Sequence, residues 1–175
     1  MATFKIDAAH SEIAFKVKHL MISTATGVFK KFDATVESEK EDFSDVKISF
    51  EADVNSIDTQ NEQRDTHLKG DDFFNAEKFP KITFVSTGIE KKSGNESLVT
   101  GDLTIRDVTK PVELVVEYNG TVTDPWGQIK AGFEITGKIS RKEFGLTWNA
   151  LTEAGGMVVG DDVKLHLNVE LQKQS

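Results

Sequence analysis

Residues 129–139 (IKAGFEITGKI) and 163–171 (VKLHLNVEL) decide the fold of this chain. In both segments small or apolar residues occupy the odd positions, and most even positions are polar or charged. A period of two with one apolar and one polar face is typical of an antiparallel sheet that is solvated on one side. Long strands with open edges invite aggregation. These two segments therefore favour a closed barrel over an open sandwich.

Shorter segments repeat the same alternation along most of the chain, namely residues 13–19, 31–36, 46–53, 82–84, 103–105 and 112–118. Turn sequences separate several of them. Residues 92–95 and 119–120 predict hairpins, and residues 124–127 predict a β-turn. We therefore predict an all-β fold, a single antiparallel barrel of about eight strands over residues 1–175.

Composition narrows the possible functions. The chain has 175 residues, which suits one domain. Its net charge of −8 argues against non-specific binding to nucleic acid or to anionic membranes. It has no cysteine, no transmembrane run of about 18 apolar residues, and no phosphate-loop, zinc-protease or serine-hydrolase motif. We expect no cofactor, no metal site and no activated nucleophile.

Residues 61–80 (NEQRDTHLKGDDFFNAEKFP) are the one stretch where the alternation stops. A short helix is predicted over residues 61–69, with Asp58 or Thr59 as its N-cap, and a second short turn over residues 71–75. Such an interruption in a β-protein is either a plug that caps a core or a lid over a cavity.

Three polar side chains are candidates for a ligand head group. His19 lies in the apolar register of its strand, so it should point inward at the strand end, either free or as a core imidazole. Arg64 and His67 lie on one side of the predicted helix. The alternative for these two is a solvated face with an Arg64–Asp65 or an Asp–His pair. Arginine suits phosphate because its planar fork pairs bidentately.

The aromatic content favours a cavity for an aliphatic chain. Twelve phenylalanines stand against one tyrosine and two tryptophans, so the interior has few polar groups. Core filling explains any single phenylalanine equally well. As a set, the inward register predicts an elongated apolar pocket lined by Phe15, Val17, Ile48, Phe50, Phe84, Phe133 and Ile135.

Several blocks in order resemble the YceI-like, polyisoprenoid-binding family: DAAHSEIAFKVKHL, GVFKKFDATV, NSIDTQNEQRDTHLKGDDFFNAEKFPKITFVST, GDLTIRDVTKPVELVV, ISRKEFGL and VGDDVKLHLNVEL. The resemblance implies an extended lipocalin-like barrel. It also implies an amphiphilic ligand, such as a polyisoprenoid, an isoprenoid quinone, a polyprenyl phosphate, or a fatty acid or its amide. Matched by motif, the ligand-facing candidates are His19, Phe29, Arg64, His67, Phe73, Phe74 and Phe79.

Two functions from different classes follow from these observations. The first is non-catalytic binding and carriage of a long-chain lipid, with residues 61–80 gating its exchange. The alternative is an enzyme acting on an isoprenoid or other lipid, with His19 or His67 as acid or base. A third option is a barrel with a solid core and no ligand.

Location and oligomeric state are less constrained. The first ten residues lack the apolar core of a secretory leader, so we expect a cytoplasmic protein, or a periplasmic one if a leader has been removed. The resemblance implies bacterial relatives, many of them secreted to the periplasm. The oligomeric state is open, with a homodimer as one option.

Overall fold

The computed structural model describes residues 2–149 and 159–174. One antiparallel sheet contains every described strand. The strands are β1 Ala2–Ile6, β2 Glu12–His19, β3 Ser23–Phe29, β4 Phe32–Ser38, β5 Lys47–Asp53, β6 Ile57–Asp58, β7 Lys81–Lys91, β8 Glu96–Ile105, β9 Val108–Thr123, β10 Ile129–Ser140 and β11 Val159–Lys173. The α-helix is α1, Glu62–Lys69. No helix of the described residues is long and apolar enough to cross a membrane.

The sheet closes on itself because β11 pairs with β10 on one side and with both β1 and β2 on the other. β1 and β2 follow one another along the same part of the wall, like one long strand broken by a 3₁₀ turn at Ala8–His10, so together they occupy one strand position of the barrel. The pairs β3/β4 and β5/β6 each share a position in the same way. The wall therefore has eight positions, and the predicted eight-stranded antiparallel barrel is confirmed.

The two ends of the barrel differ. At one end lie α1, the β2–β3 turn and the β8–β9 turn; we call this the α1 end. At the other end lie the loop of residues 39–46 and the turns at 92–95 and 124–128; we call this the Phe43 end. The pairing of β10 with β11, from Lys130↔Gln172 to Ser140↔Asp162, spans the wall between them.

The helix begins one residue later than predicted and has a different cap. Its N-cap is Asn61, whose side chain accepts a hydrogen bond from the Arg64 amide at 3.0 Å. Asp58 and Thr59 do not cap it, because the Asp58 carboxylate accepts from the Gln60 amide at 2.8 Å and the Thr59 hydroxyl donates to the Asp65 carboxylate. These contacts place α1 directly against the end of β6.

The predicted hairpin at residues 119–120 is wrong. Asn119 and Gly120 lie inside β9. The register against β10 shifts there, since Gly132 faces Gly120 while Phe133 faces Tyr118, which leaves Asn119 as an extra residue. Gly120 has φ of +112°, which a residue with a side chain rarely adopts. The Asn-Gly pair therefore forms a β-bulge in a long strand instead of a turn.

Candidate functional site

A cavity of about 840 Å³ runs along the inside of the barrel, within the range of small-molecule sites. Aliphatic and aromatic side chains from most of the strands form most of its lining. Thirteen of the fourteen residues proposed from the sequence line it: Phe15, Val17, His19, Phe29, Ile48, Phe50, Arg64, His67, Phe73, Phe74, Phe84, Phe133 and Ile135.

Inward-facing glycines help to keep the barrel hollow. A Cβ at Gly27 would lie 2.4 Å from Cζ of Phe15, so the Phe15 ring occupies the space above the neighbouring strand. A Cβ at Gly101 would lie 2.3 Å from Cζ of Phe84. Since such distances are sterically forbidden, both rings depend on these glycines to lie along the wall. The rings therefore cover the wall and leave the centre of the barrel open.

Arg64 brings a positive charge to the α1 end of the cavity. Its Nε donates to Thr59 Oγ1 at 2.8 Å, and its Nη2 donates to the Thr59 carbonyl at 2.7 Å. The side chain is half-buried and has no ion-pair partner among residues 2–149 and 159–174. Its other N–H groups are therefore available to an anionic or polar group in the cavity.

His67 already has an acidic partner, so the Asp–His alternative left open by the sequence is the arrangement present. Its Nε2 lies 2.8 Å from Asp72 Oδ2. Its ring meets Phe73 and Trp148 edge-on, with centroid separations of 5.1 and 4.7 Å. His67 therefore joins the polar rim of the cavity to an aromatic layer below it.

His19 is the last residue of β2 and borders the cavity at the same end. The alternative of a core imidazole is wrong, because the side chain is exposed. His19 thus lies at the rim of the α1 end, where a strand meets solvent.

Aromatic rings cover the α1 end of the cavity. Phe73 is buried and lies 5.5 Å from the Trp148 ring, and Phe74 meets Phe29 edge-on at 6.1 Å. The segment that carries them is tied to the β8–β9 turn by Arg106, whose Nη1 donates to the Phe73 carbonyl at 3.0 Å.

Phe79 does not line the cavity, so its placement from the sequence is a correction. Its ring instead lies against the Arg106 side chain, with the guanidinium carbon 5.8 Å from the ring centroid. This contact is a cation–π interaction. Phe79 therefore lies outside the cavity, against the Arg106 side chain.

Sequence reasoning missed Trp148 and Arg141, which both line the cavity. Arg141 is 3% exposed and donates four hydrogen bonds of 2.6–3.1 Å to backbone carbonyls, those of Leu146, Trp148, Val159 and Gly160. Burial lowers the pKa of Arg141. The residue joins the segment carrying Trp148 to the start of β11. The only signal in the sequence was its place in the ISRKEFGL block.

Phe43 forms a phenylalanine plug at the other end of the cavity, where the exposed Gly94 and Asn95 also border it. Phe43 is buried and packs against Phe4, Tyr118 and Phe133, with centroid separations of 5.1–5.3 Å. Its φ of +59° is unusual for a bulky residue.

Asp42 fastens this plug to the wall. Its carboxylate lies 3.1 Å from Lys91 Nζ on β7. Hydrogen bonds from the Ser44 hydroxyl and amide, and then from Lys91, lower the pKa of Asp42 to about 2. The plug is thus held by an ionised carboxylate above that pH.

One group of residues outside the cavity could hold a metal ion by composition: Asp7, His10 and Glu170. An ammonium group already fills the position of a cation there. Lys130 Nζ lies 2.7 Å from Asp7 Oδ2 and 3.7 Å from Glu170 Oε2. Its hydrogen bond, with a second from His10, lowers the pKa of Asp7 well below the usual range. The arrangement is an ion-pair network across the break between β1 and β2.

Comparison with known proteins shows the same architecture. The crystal structure of Burkholderia cenocepacia BcnA superposes with a TM-score of 0.82 at 26% identity, covering 94% of this chain and 98% of that one. The Campylobacter jejuni YceI protein gives a TM-score of 0.76 at 33% identity, covering 90% of each chain. A polyisoprenoid-binding domain from Saccharophagus degradans shares the fold, with a TM-score of 0.67 at 15% identity and 98% of each chain covered.

Sequence comparison agrees with the structures. A UPF0312 protein of Staphylococcus aureus strain USA300 is 43% identical over 171 residues, which cover 97% of both chains. The YceI-like domain matches residues 4–171. The chain therefore belongs to the YceI-like domain family.

Proposed function

We propose that this protein binds an amphiphilic lipid and carries it unchanged, with the apolar chain inside the barrel and the head group at the α1 end. The observation that carries the proposal is the 840 Å³ apolar cavity. If a methylene fills about the 30 Å³ that a liquid water molecule fills, this space accommodates a chain of about thirty carbons. Each buried methylene contributes about 0.8 kcal/mol, which offsets an association cost of roughly 4–15 kcal/mol.

A polyisoprenoid with a polar or anionic head fits these features best. The lining offers dispersion contacts and few hydrogen-bonding groups, so it favours an unsubstituted hydrocarbon chain. Arg64 supplies a cation with no acidic partner in the described part of the chain, at the end where a head group would emerge. Polyprenyl phosphates and isoprenoid quinones both have this form. The relative from Saccharophagus degradans, described as polyisoprenoid-binding, supports the same class.

Paired ligands test the role assigned to Arg64. Replacing Arg64 by Ala should weaken binding of a polyprenyl phosphate by about ten- to a hundredfold, since a charge-assisted hydrogen bond contributes about 1.5–3 kcal/mol. The matching neutral prenol should lose much less. Lys69→Ala is the control, because Lys69 is a cation of the same helix that does not line the cavity. Equal losses for phosphate and prenol would show that Arg64 is structural.

A second candidate function rests on the His67–Asp72 pair. A carboxylate that orients an imidazole beside a cavity is the arrangement used in general acid–base catalysis. The two functions differ in the fate of the lipid. After prolonged incubation, a carrier releases the lipid with its mass unchanged, whereas an enzyme releases a product of different mass. If His67 is the catalytic base, the His67→Gln variant should form no product.

A further inference from the structure

The β2–β3 turn exposes three consecutive apolar side chains at the α1 end. Leu20, Met21 and Ile22 are 38%, 64% and 84% exposed. Their neighbour His19 borders the cavity, so this group, which we call the tip, stands beside the rim through which a ligand would pass. Exposed apolar residues that cluster in this way mark interaction sites more often than isolated ones do.

The backbone of the tip adopts positive φ angles at two residues, Leu20 and Met21, whose bulky side chains disfavour that conformation. The Ile22 amide donates to the His19 carbonyl at 3.2 Å, and the two residues between them have φ of +54° and +63°. This is the geometry of a type I′ turn, which strongly favours Asn-Gly. Leu20 and Met21 occupy those positions instead. Since bulky residues are strained there and Met21 remains 64% exposed, burial does not explain Met21 at this position.

The wall beside the tip carries a row of lysines on its outer face. Lys16 on β2 pairs in register with Lys164 on β11, which pairs with Lys138 on β10. Lys138 is neutralised by Asp162 at 3.4 Å. Lys16 and Lys164 of this row, and Lys18, which also borders the cavity at its rim, are exposed and have no ion-pair partner within residues 2–149 and 159–174. The net charge of −8 argues against non-specific binding to anionic membranes over the whole surface, but these lysines form a local basic patch beside the tip.

We propose that the tip inserts into a lipid bilayer with an anionic surface, while the lysine row contacts its head groups, so that the α1 end of the cavity faces the membrane. Apolar side chains on a protruding turn, flanked by basic residues, are the features that such binding requires. The inference rests on the proposed function for its purpose, because a lipid carrier must exchange its ligand with a membrane. Its test needs no lipid in the cavity.

The absence of cysteine from the chain permits a direct test. An Ile22→Cys variant carrying an environment-sensitive fluorophore is mixed with vesicles of equal phosphatidylglycerol and phosphatidylcholine. We expect a blue shift at residue 22 and none for the same label in Val122→Cys. Val122 is 65% exposed but lies at the Phe43 end. No shift at residue 22, or equal shifts at both, would overturn the proposal.

A second variant separates docking from folding. Leu20→Asn/Met21→Gly/Ile22→Ser supplies the residues a type I′ turn prefers, so it should fold at least as stably as the natural chain. Its affinity for the vesicles should fall at least about tenfold, since burying one such side chain contributes that much. A control with Val122→Ser/Trp126→Ser should bind as the natural chain does.

The salt dependence of vesicle binding and the oligomeric state of the protein are the remaining measurements that test the proposal. Affinity should fall with added salt and be lower for vesicles of phosphatidylcholine alone, because each lysine near an anionic surface contributes about fivefold. Unchanged vesicle binding by the tip variant would overturn the proposal. The proposal would also be overturned if the natural chain does not bind vesicles but forms dimers, and the tip variant abolishes those dimers. That result would assign the tip to contact with a second copy of the chain. An empty cavity would contradict the proposed function and leave the docking result standing.

Discussion

Filling the centre of the barrel should shorten the lipid that the protein accepts without weakening the fold. Ile135 lies near the middle of β10, lines the cavity and pairs in register with Val116 on β9. Its side chain is half-buried, and the surface it leaves uncovered borders the cavity. Replacing Ile135 by Trp therefore extends a ring into open space and divides the cavity near its midpoint.

The effect on binding follows from the carbons that no longer fit. Displacing one isoprene unit of about five carbons removes about 4 kcal/mol, at about 0.8 kcal/mol per carbon, or roughly a thousandfold in affinity. A long prenol of about thirty carbons should lose at least this much, whereas a short prenol of about ten carbons should bind as before in the remaining half. Displacement of a fluorescent lipid by each prenol measures both affinities.

The effect on stability distinguishes a hollow barrel from a solid one. In a filled core, the larger side chain would lower the free energy of unfolding by about 1–3 kcal/mol. In the cavity described here, it should cost less than about 1 kcal/mol. Thr136→Trp is the control, because Thr136 is exposed on the outer face of the same strand. A destabilised Ile135→Trp variant, or equal losses for the short and long prenols, would show that the barrel is not hollow beside Ile135.

Three further predictions concern the closures at the two ends of the barrel. Phe73→Ala and Phe74→Ala should release lipid to vesicles about tenfold faster or more, since a buried phenylalanine contributes about 1.5–3 kcal/mol. Phe79→Ala is the control, because Phe79 lies outside the cavity, and its release rate should not change. Equal release rates in all three variants would contradict a gating role for residues 61–80. Because the folded pKa of Asp42 is lowered to about 2, its ionised form stabilises the fold above the unfolded pKa of about 3.9, and this contribution is lost as the pH falls towards 2. In urea unfolding, Asp42→Asn should therefore be less stable than the natural chain at pH 7 and equally stable near pH 2. A stability difference that persists near pH 2 would show that the ionised Asp42 carboxylate is not its cause. Arg141→Met should lower the free energy of unfolding by at least about 3 kcal/mol, because it leaves four backbone carbonyls without their donor; a loss below about 1 kcal/mol would show that water replaces the guanidinium.

The parts of the fold that depend on strand periodicity were predictable. The side-chain period of a strand is two, so the odd residues of 129–139 and 163–171 identified the inner faces of β10 and β11 directly. The same register placed Phe15 and Phe84 inside the barrel. Local patterns of this kind need no knowledge of what lies across the sheet.

The hollow interior could not be predicted, because it depends on contacts between strands. Gly27 on β3 admits the Phe15 ring of the adjacent β2, and Gly101 on β8 admits the Phe84 ring of the adjacent β7, each only in the paired register. A list of inward phenylalanines is the same for a filled barrel and an open one. The sequence left both options standing for this reason.

The two closures were only half predicted. The interruption at residues 61–80 was visible in the sequence, and it brought Phe73 and Phe74 to the cavity. Phe43 lies in a short polar loop and reaches the interior through a backbone with positive φ, which no pattern indicates. Arg141 acts through hydrogen bonds to backbone carbonyls, that of Trp148 among them, and such carbonyls accept donors whatever the side chain of their residue.

The proposed carrier function requires that the barrel hold a long-chain lipid and leave it unchanged. Native mass spectrometry of the protein, purified without detergent and then loaded with a polyprenyl phosphate, tests this most directly. We expect one lipid per chain, recovered at its original mass after organic extraction. The Ile135→Trp variant should form no such complex with the long-chain lipid. Protein that stays unliganded with every lipid offered, or that returns a lipid of altered mass, would contradict it.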